Sequence, residues 1–209
     1  SIEAFMSIKG GFNHPVRDVY FVRAIGVPAQ FADVIRKMDQ TMGREMASGQ
    51  LRYRRVKKLP SLTGVQDPAF YAGAYDTWKS DGAVVLRNVT FGGIFADVFS
   101  QAVRQVIDVF EKSRNNSSAS IVRNFVAKLM YWFDGQAAEL VSGWDERAII
   151  KVVAENVLKE QEYLFYYFLT LLGCDVLLLQ YKKDMQAPEV LKVLSSELVL
   201  GSFDTCALP

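Results

Sequence analysis

Residues 149–180 constrain the fold more than any other stretch. They read IIKVVAEN, then VLKEQEYLFYYFLTLLG, then CDVLLLQ: an apolar run, a helix-length segment ending in Gly173, and a second apolar run. The first run is short and holds the β-branched Ile149, Ile150, Val152 and Val153, which favour a strand. The second, Val176 to Leu179, is equally short and follows Gly173, a helix-stopping residue. Near-continuous apolar strands suit a parallel sheet covered on both faces. Parallel neighbours joined through a helix are almost always right-handed, which lays the helix back on the sheet. The stretch is therefore read as a buried βαβ unit.

Residues 163–172 are apolar on nearly every face, so a membrane span is the competing reading. Gly173 and Asp175 interrupt the run before it reaches the roughly 20 apolar residues a span needs, and a charge near a bilayer centre costs about 2.5–3.5 kcal/mol on insertion scales. No transmembrane segment is expected. The whole chain has 209 residues, half of them hydrophobic, with 24 basic and 23 acidic side chains. A large core is accessible, and a near-neutral balance gives no reason to expect nucleic acid as partner. The two cysteines, Cys174 and Cys206, have neither CxxC nor zinc spacing. With no basic-then-apolar leader at the start, they suit a reducing, cytoplasmic setting.

Earlier in the chain, residues 19–22 read as a strand with Arg23 at its end, followed by a helix over 28–46 with Phe31, Val34, Ile35 and Met38 on one face. The run LRYRRVKKL, 51–59, carries five positive charges. It is an edge strand guarded by Lys and Arg, or an exposed basic segment. Residues 60–67 are rich in turn formers, and 68–78 form a short aromatic helix. Residues 82–110 are ambiguous, with VVLRNVTF a possible strand. A helix then runs to about 112, with Ile94, Phe95, Val98, Phe99, Val103, Val106, Ile107 and Phe110 at helical spacing. The polar segment SRNNSSAS, 113–120, is the best internal boundary. It separates an N-terminal α/β part, 1–112, from a C-terminal part, 121–209, with a helix over 121–140 and the βαβ unit, both parts sharing one sheet. Residues 188–200 are a last helix or a tail. The fold class is α/β: a three-layer, mostly parallel, Rossmann-like sheet with several long helices.

The chemistry is bounded by what the chain lacks. Its one histidine is His14, so a multi-histidine metal site is excluded and none is expected. There is no GxSxG elbow, no Walker loop and no GxGxxG after a strand. Gly92-Gly93 before a helix is a weak phosphate signal. No cofactor can be named. Geometry offers more, because ligands of open α/β sheets bind outside the carboxyl ends of the strands. The strand at 149 delivers Glu155 and Asn156 there, with Lys159, Glu160 and Glu162 in the first turns of the next helix. The strand at 19 delivers Arg23. The strand at 176 delivers Gln180 and Tyr181, with Lys182 and Lys183 beyond. This cluster of both signs fits a nucleotide or phosphosugar. Glu155 and Glu162 are the candidate catalytic carboxylates, and Arg23, Asn156, Lys159 and Gln180 the candidate ligand contacts. The plainer alternative is that acids near a helix start complement its dipole. Asp175 lies at the amino end of its strand and reads as structural. Asp134 and Arg123 sit on a helix whose facing is left open.

The runs EYLFYYFLTLLGCDVLLL, SIVRNFVAKLMYWFD and VYFVRAIGVPAQF resemble, in order, the YceG-type family of bacteria. The similarity spans residues 15–180, and Glu162-Tyr163 followed by Leu172-Gly173-Cys174-Asp175-Val176 is its most specific part. The resemblance implies a component of the biosynthetic module that accompanies tellurium-resistance and stress operons, acting with other proteins of that system on a nucleotide- or sugar-derived metabolite. It transfers no catalytic residue. Two functions stay open: an enzyme, with a transferase such as a glycosyltransferase suggested by fold analogy, or a non-catalytic scaffold whose aromatics at 70–78 and 131–133 meet partner proteins.

Overall fold

The computed structural model describes residues 1–7, 19–143 and 147–209. His14 and the glycines around it lie outside the described residues. Five parallel strands form one sheet in the order β2-β3-β4-β1-β5: β1 Phe21–Ile25, β2 Arg52–Val56, β3 Ile150–Glu155, β4 Asp175–Gln180 and β5 Ser196–Val199. The expected βαβ unit is present. β3 and β4 pair in parallel from Lys151 opposite Asp175 to Glu155 opposite Leu179, and α7, Glu160–Leu171, joins them.

The direction of each crossover sets the layers. From β1 the chain steps across β4 and β3 to reach β2, through α2, Phe31–Ala47. Every later connection steps back the other way. Right-handed crossovers moving in opposite directions place their helices on opposite faces. On one face, α1 (Ile2–Ser7) and α2 pack over Val153, Leu177, Leu179 and Ala24. The other face carries α3 (Gln66–Asp81), α4 (Ile94–Lys112), α5 (Ala119–Gln136) and α7, over Val152, Ala154, Val176 and Leu178. Alternate residues of β3 and β4 thus enter different cores, and every residue of both strands is buried. This double burial is why neither strand alternates apolar with polar.

Helix α7 is apolar all round for the same reason. It lies between the sheet and a second tier formed by α4 and α5: Phe168 meets Phe99 and Phe133 edge-on, with ring centroids 5.2 and 5.9 Å away, and Trp132 meets Phe165. Among the described residues no helix is long and apolar enough to cross a membrane. Burying side chains of this size contributes about 1.5–3 kcal/mol each. The polar segment at 113–118 joins α4 to α5, which share this core, and the sheet draws β1 and β2 from before that segment and β3 to β5 from after it.

Three expectations are corrected. Strand β1 begins and ends later than 19–22, so Arg23 is its central residue and not its end. Residues 83–91 form no strand: Asp134, buried on α5, accepts the backbone N–H groups of Arg87 and Asn88 at 2.9 and 2.8 Å, together with the Tyr71 hydroxyl at 2.8 Å. Those N–H groups satisfy a carboxylate instead of a ladder. The region 188–200 holds a single helical turn, α8, Glu189–Lys192, and then β5, which pairs with β1.

Beyond β5 the chain crosses the carboxyl edge of the sheet. Val27 donates to the Ser202 carbonyl at 2.8 Å, and the Asp204 N–H donates to the Tyr181 carbonyl at 2.8 Å. Leu208 is buried near the end of the path. The crossing is tight at Gly26, where φ is +85° and an added Cβ would lie 1.9 Å from the Gly201 carbonyl oxygen. Glycine at both positions permits that approach.

Candidate functional site

The carboxyl edge of the sheet divides into two halves. At β4 and β1 it is closed. Arg23 has no exposure; its guanidinium is bonded to Asp184, to Glu197 on β5 and to Ser195 Oγ. Two carboxylates raise its pKa against the opposing effect of burial. Gln180 is equally buried: its Nε2 donates to the Val157 carbonyl at 2.6 Å and its Oε1 accepts the Val157 N–H at 2.7 Å. These two expected ligand contacts lie inside the protein and have no exposed surface to offer a ligand.

At β2 and β3 the edge is open. A cleft of about 480 Å³ is lined by Lys57 and Lys58, which follow β2, by Glu155, Asn156, Leu158, Lys159 and Glu162 around the β3–α7 turn, and by Tyr181, Lys182, Ala207 and Leu208. It adjoins a second lobe of about 600 Å³ with which it shares Lys58, Lys159 and Glu162. Four of the six expected site residues, Glu155, Asn156, Lys159 and Glu162, therefore meet in one place.

The turn that builds this corner is held from β4. Asn156 adopts φ +47°, a left-handed conformation that asparagine tolerates better than most residues. Its Oδ1 accepts the Lys182 N–H at 2.9 Å. With Gln180 gripping Val157, the turn is fixed on both sides, and α7 starts at the cleft with no side chain capping its first N–H groups. Those groups and the helix dipole favour an anion. Asn156 and Gln180 thus bond to the backbone of the segments they join.

The carboxylates differ in availability. Glu155 accepts from Arg55 Nε at 2.8 Å and from the Tyr181 hydroxyl at 2.7 Å, and Arg55 also binds Asp39 of α2 at 2.6 Å. The Tyr181 hydroxyl is pushed up to about 12 by burial and by Glu155. Glu162 is partly exposed, and Lys159 Nζ lies 3.6 Å away. The two lobes together present six basic side chains, Lys57, Lys58, Arg114, Lys128, Lys159 and Lys182, against Glu155, Glu160 and Glu162. In a chain of net charge +1 this is a local excess of positive charge. Among the described residues, Lys57, Lys58, Lys128 and Lys182 make no ion pair within 4 Å. No group of three or more His, Cys, Asp or Glu among the described residues could hold a metal ion.

Sequence reasoning passed over Lys57 and Lys58 because 51–59 was weighed only as an edge strand or an exposed segment. β2 is indeed an edge strand. Its Arg52 and Arg54 bond to carbonyls at the end of α5 and in the short α6, Ala138–Val141, while the two lysines fall just beyond its carboxyl end. Asp134 and Arg123 do not reach the cleft; Arg123 pairs with Asp76 at 2.6 Å. The aromatics Tyr71, Tyr75, Trp78 and Phe133 are buried in the core and Trp132 keeps only a small exposed part, at the second lobe, so they offer little surface to a partner protein.

A YceG domain is found at residues 88–190. The match runs from the coil before α4 through β3, α7 and β4 to α8, and so includes Glu155, Asn156, Lys159, Glu162 and Gln180. It leaves out β1 and β2, and with them Arg23, Lys57 and Lys58. It is narrower than the similarity over 15–180. No curated protein sequence and no solved structure matches the chain.

Proposed function

We propose that this protein binds a phosphate-bearing metabolite, a nucleotide or a phosphosugar, in the cleft at the carboxyl ends of β2 and β3. The observation that carries this reading is the concentration of basic side chains lacking carboxylate partners around the uncapped start of α7. Clefts of this volume suit small ligands, and anions settle where a helix begins at a parallel sheet's carboxyl edge. In this reading Lys57, Lys58, Lys159 and Lys182 hold the phosphate. Glu162 is the available acid or base, since Arg55 and Tyr181 engage both oxygens of Glu155. Transfer chemistry, glycosyl transfer included, rests on fold analogy. The wider setting, a cytoplasmic bacterial biosynthetic module active in stress and tellurium resistance, rests on the family resemblance.

Thermal unfolding with nucleotides, nucleotide sugars and phosphosugars tests the reading. A ligand at a hundred times its dissociation constant adds about 2.7 kcal/mol of stability. Lys58→Ala abolishes that gain, and Glu162→Ala removes turnover while sparing binding. A second reading, a non-catalytic module that meets other proteins of the same system, draws on the open side of β5, near which Val193, Val199 and Phe203 are exposed. It gains if no ligand stabilises the chain and defined partner proteins co-purify with it.

A further inference from the structure

The two lobes of the cleft differ in chemistry, and the difference narrows the ligand class. This step rests on the anion-binding reading above. In the lobe at β2 and β3, Lys57 and Lys182 are exposed and make no ion pair; the one acid belonging to that lobe alone, Glu155, is occupied by Arg55 and Tyr181. In the second lobe the cations have internal partners: Arg114 lies 3.7 Å from Glu160, and Lys128 Nζ donates to Gln161 Oε1 at 3.1 Å. Its remaining lining is Leu59, Pro60, Leu62 and Trp132, with Ser61 as a further hydrogen-bonding group. One lobe is left in need of negative charge. The other engages its cations with groups of its own, and is apolar on one side and able to hydrogen-bond on the other. Lys58, Lys159 and Glu162 stand at the junction.

We infer that the ligand is bipartite: an organic diphosphate, of nucleoside diphosphate or nucleotide-sugar type, with its phosphates over Lys57, Lys58 and Lys182 and its organic end against residues 59–62 and Trp132. A compact phosphosugar would fill one lobe and leave the other to water. A hydrocarbon diphosphate would bury Ser61, Gln161 and Lys128 against a chain that bonds to none of them, which is costly for each polar group. A base or sugar satisfies those groups and still covers the apolar side.

Isothermal calorimetry on the full chain with ADP, UDP, inorganic diphosphate and ribose 5-phosphate tests this. At least one nucleoside diphosphate binds about tenfold or more tighter than either compact anion, a difference easily resolved in dissociation constants. Lys128→Ala weakens the nucleoside diphosphate and leaves inorganic diphosphate unchanged, whereas Lys57→Ala weakens both. Circular dichroism confirms that both variants fold. Compact anions binding as tightly as nucleoside diphosphates, or indifference of every ligand to Lys128→Ala, overturns the bipartite ligand while leaving the anion site standing. Absence of binding by all four probes overturns both.

Discussion

The two halves of the sheet's carboxyl edge are made of similar residues and end in opposite states. At β4 and β1, Arg23, Asp184, Glu197 and Gln180 are locked to one another or to backbone, and the tail bonds to Val27 and Tyr181 just beyond the two strands. At β2 and β3, Lys57, Lys58, Lys159 and Lys182 face an open cleft. Polar residues at strand ends are thus no mark of a site by themselves. What separates the halves is whether the partners of each charge come from the protein or are left to be supplied.

The sharpest way to break the comparison is to unlock the closed half. Arg23→Met leaves Asp184 and Glu197 facing a buried gap, and removal of one member of such a network costs about 3–5 kcal/mol; Glu197 is half-exposed, which places the loss toward the lower figure. Urea denaturation measures it, and a loss under 1 kcal/mol would mean that the lock is ornamental. Next comes the crossing of the tail. Gly26→Ala forces a methyl against the Gly201 carbonyl, an overpacking that costs roughly 1–3 kcal/mol, and amide exchange at residues 202–204 rises as the tail lifts.

High pH probes both halves, since the Tyr163 hydroxyl bonds to Ser195, the partner of Arg23, and the Tyr181 hydroxyl to Glu155. Burial raises the hydroxyls of Tyr163 and Tyr181 to about 12, above the ordinary value near 10. The folded chain therefore holds protons that the unfolded chain has released. Their contribution is whole below about pH 10 and is lost as pH climbs toward 12. Replacing each by Phe flattens the fall in stability over that window, and a profile equally steep in both variants would exclude them as its source. The smallest effect belongs to the open half: Lys57→Ala and Lys58→Ala each change stability by less than about 0.5 kcal/mol, while ligand binding suffers.

The βαβ unit was legible because double burial writes itself as unbroken apolar runs around a helix stop at Gly173. Helices α2, α4 and α5 were legible from their spacing. Strand β5 was not: three of its four residues are exposed, and SELV carries no stripe to betray it. Arg23 misled because a charge inside a strand looks like a strand end; its partners Asp184 and Glu197 lie 161 and 174 positions away, beyond any local pattern. The corner made of Glu155, Asn156, Lys159 and Glu162 was legible because one turn supplies all of it. Its other wall, Lys57 and Lys58, needed the knowledge that β2 lies beside β3.

Where Gly201 rests on Gly26, the end of the chain leans on groups that exist as a surface only after β1 and β4 are neighbours. That pairing joins Tyr20 to Asp175 across 155 positions of sequence, so β1 waits for all of the chain between it and β4 before it gains its central partner. Closure over so long a loop is slow. A β1 with two bare edges is open to pairing with other chains; β4 on one side and β5 on the other end that exposure, and Gly201 seats against Gly26 just past the strand's end.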